Sequence, residues 1–400
     1  MIRGEMEMFY NAKGMAFFMG AYFCALLYSG ANLAFFGRGE WKIVVLALWL
    51  LSGLSLPLGI FQKRYSPQLR RVGGVALAFV LHLSAAFLFL NAWTLLASRT
   101  TLDAPSPRAA AISLNAMLLW IAYGVARAQR IVARAIHVDL LSPAPRPPVV
   151  LLAVADIHAG GVVEERYLKR LQKRVAQCRP DVLLLLGDIT DGDVSRAVGA
   201  GLGEVLASFS APLGKYAVLG NHDIYAGEKA SLRLLRDAGF ETLQDEARVV
   251  DDAFVLVGRN DPRGRHFGLP RAPLRSILDG LDGPATKLPV VVADHTPQNL
   301  EEAESVGVAL QLSGHTHGGQ VFPFNLMMRW IYGLSSGSQR RGNTTVCVSS
   351  GAGLWTMPLR TVTDSEIVLC TLSFKPRNPR SKACDRRVSP NPGGSCPQNW

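Results

Sequence analysis

The sequence predicts an α/β layered domain that follows a membrane region of four helices. Hydrophobic residues make up 49% of the chain, and its N-terminal part contains long stretches without charge. The remainder instead alternates short apolar runs with amphipathic ones, which is typical of strands and helices packed in layers. These observations divide the chain into a part suited to lipid and a part suited to a folded sheet.

The membrane region is predicted from four stretches that lack charged side chains. They lie between Lys13 and Arg38, Lys42 and Lys63, Arg71 and Arg99, and Arg108 and Arg127. A helix needs about 20 such residues to cross ~30 Å of hydrocarbon. We therefore expect a membrane region at 1–140, with transmembrane helices at about 15–36, 43–62, 73–97 and 109–127.

The basic residues that flank these stretches predict an orientation. If the helices alternate, the N-terminus, the 62–72 loop and the segment after the fourth helix share one side, which carries more Lys and Arg than the other. The positive-inside rule then predicts a multi-pass protein of the inner (plasma) membrane whose C-terminal domain is cytoplasmic.

Net charge also bears on nucleic acids as partners. The chain carries a formal charge of +11, but residues 147–375 hold 23 Lys and Arg against 25 Asp and Glu, a balance of −2. Because binding to a phosphate backbone depends on clustered positive charge, no nucleic-acid partner is expected for this domain.

Composition predicts the domain boundaries. Residues 141–150, "LSPAPRPPVV", are typical of a stiff Pro-rich linker, and a folded domain is expected at 147–375. Residues 376–400 are basic and rich in Pro and Gly, which predicts a disordered tail.

Five segments of the predicted domain read as buried strands that end in polar residues. They are "VVLLAVADIH", "DVLLLLGDIT", "KYAVLGNHD", "LPVVVADH" and "VALQLSGHTH". Between the first two, residues 163–178 place Leu168, Leu171, Val175 and Cys178 on one stripe of a predicted helix. Open α/β sheets bind ligands at the carboxyl ends of their strands, so we expect the polar strand ends to meet.

Those strand ends carry most of the chain's histidines. The residues are Asp156, His158, Asp188, Asp191, Asn221, His222, Asp223, His295, His315 and His317, and they include five of the eight histidines. By itself a segment such as "HTH" is ordinarily a loop with two solvated imidazoles. Side chains two residues apart on an extended segment point to the same side, however, and the other strand ends favour metal ligation.

In chain order these segments read "DIH", "GDITD", "GNHD", "DH" and "GHTH", a pattern that resembles the calcineurin-like metallophosphoesterases. The segments "GHTHGGQV", "IYGL", "VSSGAGLWTMPLR" and "EIVLCTLSF" are similar to a bacterial membrane-associated subgroup, the YkuE-like proteins. The resemblance implies a β-sandwich flanked by helices that holds two divalent metal ions. Nitrogen and oxygen ligands without a thiolate suit Mn, Fe or Zn.

The resemblance also implies a role for each residue. One metal would be held by Asp156, His158, Asp188 and His317, and the other by Asp188, Asn221, His295 and His315. Asp188 would bridge the two ions. His222 would stabilise or protonate the leaving oxygen, with Asp223 as its orienting partner, although a purely structural imidazole remains the alternative. Asp191 is expected to support the site from outside the ligand set.

The implied reaction is hydrolysis of a phosphodiester, phosphomonoester or pyrophosphate bond by metal-activated water. Because some relatives cleave the pyrophosphate of UDP-diacylglucosamine, a lipid-linked substrate is one expectation and membrane lipids are expected partners. The alternatives are a non-catalytic metal-binding scaffold and a regulatory or transport protein of the membrane. The four stretches between the flanking charges contain no Asp, Glu, Lys or Arg, which disfavours charge transport.

Two further segments bear on the substrate. Residues 321–334, "VFPFNLMMRWIYGL", predict either a surface loop that enters the membrane interface or a segment packed on the sheet. Residues 259–271, "RNDPRGRHFGLPR", predict either a solvated basic loop or one that meets headgroups or substrate phosphates.

Overall fold

A computed structural model describes residues 12–36, 39–61, 67–100, 103 and 106–376. The chain starts with four long helices, α1 (Ala12–Phe36), α2 (Trp41–Phe61), α3 (Pro67–Ala97) and α4 (Pro107–Ala128). By length and composition all four are able to cross a membrane, with spans at Met15–Ala34, Trp41–Leu58, Arg71–Ala97 and Arg108–Ala128. The prediction of four apolar spans is confirmed.

The four helices expose large apolar side chains on their outer surfaces. Ile43, Leu88 and Leu119 are 73%, 59% and 71% exposed. A water-soluble protein rarely exposes so much contiguous apolar surface, whereas lipid tails would cover it. The outer faces of the helices therefore suit a bilayer.

The remainder of the chain forms two mixed six-stranded sheets. The first contains β1 (Ile131–Ser142), β2 (Arg146–Val154), β3 (Val182–Leu186), β4 (Lys215–Val218), β5 (Glu241–Thr242) and β12 (Ser365–Pro376), in the order β1-β12-β2-β3-β4-β5. The second contains β6 (Glu246–Val250), β7 (Phe254–Gly258), β8 (Val290–Ala293), β9 (Leu310–Ser313), β10 (Gly337–Arg341) and β11 (Thr344–Val348), in the order β10-β11-β9-β8-β7-β6.

The two sheets pack face to face and helices cover their outer faces. An apolar cluster between the sheets joins Leu151 and Leu184 of the first to Leu256 and Leu310 of the second. The first sheet is covered by α5 (Glu165–Cys178), α6 (Val194–Gly199), α7 (Leu202–Ala207) and α8 (Asn221–Asp237). The second sheet is covered by α9 (Leu274–Asp279) and α10 (Leu300–Ser305), and α11 (Phe324–Tyr332) follows the end of β9. The predicted helix-flanked β-sandwich is confirmed.

The five predicted strands correspond to β2, β3, β4, β8 and β9, and the predicted helix to α5. Leu168, Leu171 and Val175 of its stripe are buried, and Cys178 is half-buried. The strands are buried on both faces because helices and a second sheet enclose them, which explains their continuous apolar runs.

The segment predicted to be a linker has a different structure. Residues 141–142 end β1 and residues 146–150 begin β2, so the chain crosses 141–150 as a tight connection between two strands. Pro147 and Pro148 lie at the irregular start of the pairing between β2 and β12, where strands tolerate proline. The sheet also begins earlier than the predicted boundary at 147, because β1 pairs with β12 from Ile131 onward.

Two other predictions concern residues 321–334 and the C-terminal residues 376–400. Residues 321–334, for which a loop was one expectation, contain the helix α11. The predicted disordered tail at 376–400 lies, apart from Pro376 at the end of β12, outside the described residues.

Candidate metal centre

The predicted ligands lie at the carboxyl ends of five strands. Asp156 and His158 follow β2, Asp188 follows β3, and Asn221 follows β4. These three strands are parallel neighbours in the first sheet. His295 follows β8, and His315 and His317 follow β9, which are parallel neighbours in the second sheet. The site therefore forms where the same ends of both sheets meet.

Backbone hydrogen bonds continue beyond the strands and connect the ligand segments. The amide of His158 donates to the carbonyl of Asp188 at 3.0 Å, and that of Gly314 donates to the carbonyl of His295 at 2.9 Å. The amide of His315 donates to Asp156 Oδ1 at 2.9 Å, which joins the two sheets. These bonds hold the ligands in register without help from a loop of variable shape.

Several ligands have a left-handed backbone conformation. Their φ angles lie between 51° and 70°, in Asp156, His158, Asp188, His315 and His317. Residues with a side chain adopt this region rarely, and they cluster at functional sites where the surrounding structure compensates for the strain. The positive φ turns each side chain inward at the point where its strand ends.

The first group of ligands consists of Asp156, His158 and His317, all of which are buried. Nε2 of His158 lies 3.0 Å from Nε2 of His317, which in turn lies 3.9 Å from Asp156 Oδ1. Two imidazole nitrogens that face each other at this distance repel through their lone pairs unless a proton or a cation lies near both. The group has the geometry of a cation site.

The second group consists of Asp188, His295 and His315, with Asn221 beside it. Nε2 of His295 lies 3.2 Å from Asp188 Oδ2 but makes no aligned hydrogen bond, and the rings of His295 and His315 have centroids 5.1 Å apart. Asn221 is fully buried, and its amide oxygen lies 3.5 Å from Arg263 Nη1.

Asp188 lies between the two groups. Its Oδ2 is 3.7 Å from Nε2 of His158 in the first group and 3.2 Å from Nε2 of His295 in the second. Its Oδ1 accepts a hydrogen bond from the amide of His222 at 2.8 Å. One carboxylate thus faces both groups.

Burial controls the protonation of several ligands. It lowers the pKa of His158 to about 4, and it also lowers the pKa of His315 and of His317. It raises the pKa of Asp156 to about 7. Because a neutral imidazole has a free lone pair, these three histidines are suited to hold a metal.

For Asp188 and His295, the charges of neighbouring side chains outweigh the effect of burial on the pKa. Burial alone would raise the pKa of Asp188, but the neighbouring charges of His295 and His222 lower it well below its usual value. Burial would lower the pKa of His295, but the Asp188 carboxylate raises it to about 10. Without a cation, the positive charge of His295 therefore balances the negative charge of Asp188.

The donor set fits a pair of divalent metal ions. Nε2 of His295 and Nδ1 of His315 are buried without a hydrogen-bond partner among the described residues. Buried polar atoms are normally paired, so two such imidazole nitrogens in the group around Asp188 are consistent with a site for a cation. Imidazole, carboxylate and amide groups without thiolate match Mn, Fe or Zn, as the sequence predicts.

The partner of His222 differs from the predicted one. Nδ1 of His222 lies 3.2 Å from Asp191 Oδ1. Burial would lower the pKa of His222, but the carboxylates of Asp188 and Asp191 outweigh it and raise the pKa to about 9. Asp191, which was expected only to support the site, orients this ring.

Asp223, predicted to orient His222, has another function. Its carboxylate accepts hydrogen bonds from the amides of Gly220, Ile189 and Thr190 at 2.9–3.0 Å, and from the Thr190 hydroxyl at 3.0 Å. It therefore ties the segment after β3 to the start of α8. Neighbouring residues on a helix point roughly 100° apart, so Asp223 faces the interior while His222 faces the site.

The sequence did not single out two other side chains at the site. Nη1 of Arg263 lies 3.5 Å from Asn221 Oδ1 and 3.4 Å from the Thr296 hydroxyl, which places a cation beside the second ligand group. The ring of Tyr332, at the end of α11, lies 5.8 Å from that of His315. Arg263 lies in the basic segment 259–271 and Tyr332 in the aromatic-rich segment 321–334. Composition alone does not predict which Arg or which aromatic side chain of such a segment points into the site.

Exposed aromatic residues surround the opening of the site. The rings of Tyr225 and Trp355 lie 5.9 Å and 6.4 Å from that of His222, and Phe267 lies 5.5 Å from Tyr225. Their exposed fractions are 40% for Tyr225, 43% for Trp355 and 57% for Phe267. An apolar rim therefore borders a charged centre.

Comparison with known proteins identifies this arrangement. Residues 149–319 match the family described as calcineurin-like phosphoesterase. An uncharacterised metallophosphoesterase of Aquifex aeolicus is 32% identical over 229 residues, which cover 57% of this chain and 86% of that protein. The chain belongs to the calcineurin-like phosphoesterase family. It is thus a hydrolase that acts on phosphoric esters, and its membrane helices precede a metallophosphoesterase domain.

Other family members share parts of this organisation. A zebrafish transmembrane protein with a metallophosphoesterase domain is 33% identical over 230 residues, which cover 54% of this chain and 51% of that protein. The metallophosphoesterase YkuE of Bacillus subtilis is 27% identical, with coverage of 56% of this chain and 78% of that protein. The match to the zebrafish protein thus spans about half of its length.

Proposed function

We propose that the chain is a membrane-anchored phosphoesterase with two divalent metal ions that hydrolyses a phosphodiester, phosphomonoester or pyrophosphate bond of a lipid-linked substrate. The position of Asp188 is the observation that carries the proposal. Its Oδ2 lies within 3.7 Å of one imidazole from each ligand group. A carboxylate in this position is suited to bridge two cations.

The residues divide into two ligand sets that share Asp188. Asp156, His158, Asp188 and His317 would hold one ion, and Asp188, Asn221, His295 and His315 the other. When bound, two such ions would neutralise phosphate oxygens and acidify a water molecule that attacks phosphorus. Asn221, as a neutral ligand, limits the negative charge that an anionic substrate meets.

His222 is the proposed proton donor to the leaving oxygen. Asp191 is paired with Nδ1 of its ring, which leaves Nε2 to pass a proton to the substrate. The His222 side chain is 18% exposed, so it is reachable from the opening of the site. Its ring also packs edge-on against that of His158, which fixes its distance from the ligands.

Arg263 is proposed to bind a substrate phosphate oxygen. The guanidinium lies beside Asn221 and Thr296 and is 12% exposed, so it faces the site more than bulk water. A charged hydrogen bond from Arg to phosphate is stronger than a neutral one, and a planar guanidinium can donate twice to the same group.

A lipid-linked substrate is supported by the surface next to the site. Leu326 and Trp330 lie one turn apart on α11 and are 57% and 71% exposed, so they form one apolar stripe, and Phe322, two residues before the helix, is 50% exposed. Val321 and Phe324, from the same segment, belong to an apolar cluster with residues of the membrane helices, among them Leu26 and Leu77. The segment that carries the stripe therefore also packs on the membrane helices.

The catalytic domain is proposed to face the cytoplasm at the inner membrane. Arg71, at the start of the third span, pairs with Glu164, and Arg127, at the end of the fourth, pairs with Asp364. These ends lie on the side of the catalytic domain, and this is the side with the larger number of Lys and Arg in the sequence.

The test uses full-length protein purified in detergent and the artificial diester bis-p-nitrophenyl phosphate. Hydrolysis should stop after treatment with EDTA and return when Mn²⁺ is added, because the ligands bind substrate only through the metal ions. His295→Ala should abolish turnover, whereas His222→Ala should lower kcat with metal still bound. A rate that EDTA leaves unchanged would rule out metal-dependent hydrolysis, and metal binding without any turnover would favour a non-catalytic scaffold.

A further inference from the structure

The loop of residues 349–364 connects β11 to β12 and forms the wall behind the first ligand group. It contains no helix or strand, so its shape depends on side-chain and backbone contacts. Gly351 approaches the ligands so closely that a Cβ there would lie 2.8 Å from Asp156 Cβ and 3.2 Å from His317 Nδ1. A shift of this loop would therefore displace two proposed ligands of the same ion.

Arg360 ties this loop to His317. Its side chain is fully buried, and Nη2 donates to the carbonyls of Ser350, Gly351 and Gly353 at 2.7–3.1 Å. Nη1 donates to the carbonyl of His317 at 3.4 Å, and the Thr363 hydroxyl donates to the same carbonyl at 3.0 Å. Burying a guanidinium is costly unless its donors are paired; Nη1 and Nη2 of Arg360 are paired with these carbonyls, although Nε has no partner in the described part of the chain, so the acceptors favour one arrangement of the loop.

The other end of the same contact network is the last turn of the membrane helix α4. The amide of Arg360 donates to the carbonyl of Gly124 at 3.0 Å. Nη1 of Arg127 donates to the carbonyl of Thr361 at 2.9 Å, and its Nε to Asp364 Oδ1 at 2.6 Å. Three hydrogen bonds thus join one turn of α4 to residues 360–364 of the loop.

Gly124 shows how closely helix and loop approach. A Cβ at this position would lie 2.9 Å from Thr361 Cγ2 and 3.2 Å from Leu359 Cδ1. Glycine inside a helix is destabilising relative to alanine, so the close contact with the loop explains its use here. Any larger side chain would push the loop away from α4.

Helix α4 is also joined rigidly to the sheet. It ends at Ala128, and β1 begins at Ile131, which pairs with Ser365, the first residue of β12. The Ser365 hydroxyl donates to the carbonyl of Ala128 at 3.2 Å. The loop 349–364 therefore ends at the point where α4 enters the sheet.

We propose that the last turn of α4 is a positioning element of the metal centre. It holds the loop 349–364 in place, and through Arg360 this loop holds His317 against Asp156 and His158. The membrane helix is then part of the structure that binds one of the two ions, in addition to anchoring the domain. This inference rests on the proposed two-metal function, because it concerns the ion at His317.

The test compares two variants of the full-length protein, Gly124→Val and Arg127→Ala, with matched controls. Ala122→Val adds the same side chain on an exposed face of α4, and Arg130→Ala removes an exposed arginine near the same end. Mn²⁺ binding is titrated by metal analysis and by the electron paramagnetic resonance spectrum, which distinguishes a coupled pair from an isolated ion. His317→Ala and His295→Ala provide reference behaviour for loss of either ion.

Gly124→Val and Arg127→Ala should weaken one of the two binding steps by about 10–100-fold, the usual effect of removing support from a metal ligand. Both should give the spectrum of an isolated ion under conditions in which wild type and both controls give that of a pair, and both should resemble His317→Ala. Arg127→Lys, which keeps the charge, should recover part of the affinity.

Several results would overturn the inference. Binding like that of wild type in both Gly124→Val and Arg127→Ala would show that α4 does not position the ligand. Loss of both ions together in Arg127→Ala would show a general collapse of the site instead of a local effect. A wild-type protein that binds no second ion would instead contradict the two-metal proposal itself.

Discussion

At the scale of single residues, His222 shows how its surroundings define a role. Two carboxylates, Asp188 and Asp191, outweigh the effect of burial and raise the pKa of its imidazole to about 9. Without bound cations these carboxylates favour the protonated ring, which suits the proposed donor to a leaving oxygen. Asp191 is the partner within hydrogen-bond distance, at 3.2 Å.

Asp191→Ala and Asp223→Ala should therefore have different effects. Asp191→Ala should lower kcat by about tenfold or more, since an oriented proton donor contributes 10²–10⁴-fold, with metal content and thermal stability close to wild type. Asp223→Ala should lower the melting temperature, because three buried amides lose their acceptor. Kinetics, metal analysis and thermal unfolding of both variants check this. A kcat for Asp191→Ala equal to that of wild type would contradict the assignment.

Arg263→Ala should reduce kcat/KM for bis-p-nitrophenyl phosphate. A hydrogen bond to a charged group contributes about 1.5–3 kcal/mol, which corresponds to about tenfold or more. Arg275→Ala, in an exposed arginine of α9, is the control for a lost positive charge and should behave like wild type. Equal values for the two variants would show that Arg263 does not contact the substrate.

The sequence predicts which residues form the site better than it predicts where their side chains point. Seven candidate metal ligands follow from motifs at strand ends; six of them lie in groups that could hold a metal ion, and Asn221 lies beside the second group. The partner of His222 could not be predicted in this way, because adjacency in sequence does not mean that two side chains share a helix face. Likewise, Arg263 lies on a short 3-10 helix (Pro262–Phe267) and Arg360 on a loop, and the directions of both side chains depend on tertiary contacts.

At the scale of elements, the feature that bears on substrate access is the exposed apolar face of α11. It exposes Leu326 and Trp330 near a site that handles charged groups, and the segment before it packs on the membrane helices. Amphipathic segments with large apolar residues on one face are typical of helices that lie in the membrane interface. We expect α11 to keep the opening of the site at the bilayer surface.

Leu326→Ser and Trp330→Ser should therefore affect lipid substrates selectively. With protein reconstituted in anionic vesicles, kcat/KM for a long-chain alkyl p-nitrophenyl phosphodiester should fall by about tenfold, because each side chain loses transfer free energy of about 1.5–3 kcal/mol. Hydrolysis of soluble bis-p-nitrophenyl phosphate should stay unchanged. Val249→Ser, in an exposed residue of β6, is the control. A parallel loss on both substrates would contradict a role in lipid access.

Element boundaries were predictable where burial imposes a continuous apolar run, as in β3 and β9. They were not predictable at residues 141–150, where proline suggested a linker but the chain forms the end of β1 and the start of β2. Strand β1 is held by its pairing with β12, more than 200 residues away in the chain. A pairing partner at that distance leaves no local signal in the sequence.

At the scale of the whole molecule, membrane helices and catalytic sheets are directly connected. Only residues 129–130 separate α4 from β1, and one apolar cluster combines Leu26 and Leu77 of the helices with Met357 and Leu359 of the catalytic domain. Hydropathy predicted the four spans but not these contacts. The orientation of the domain therefore follows that of the helices.

The proposed cytoplasmic orientation predicts the behaviour of reporter fusions. Green fluorescent protein joined to the C-terminus of the full chain should fluoresce in a bacterial host, and alkaline phosphatase at the same position should be inactive, because positive flanks keep this side inside. The opposite pair of results would place the catalytic domain outside the cytoplasm.

The central claim is that distant strand ends assemble one centre around Asp188. Metal analysis of purified wild type and Asp188→Ala, together with their rates on bis-p-nitrophenyl phosphate, tests it most directly. We predict two divalent ions per wild-type chain, and loss of the ion pair and of turnover in Asp188→Ala. An Asp188→Ala protein that keeps both ions and the wild-type rate would contradict the claim.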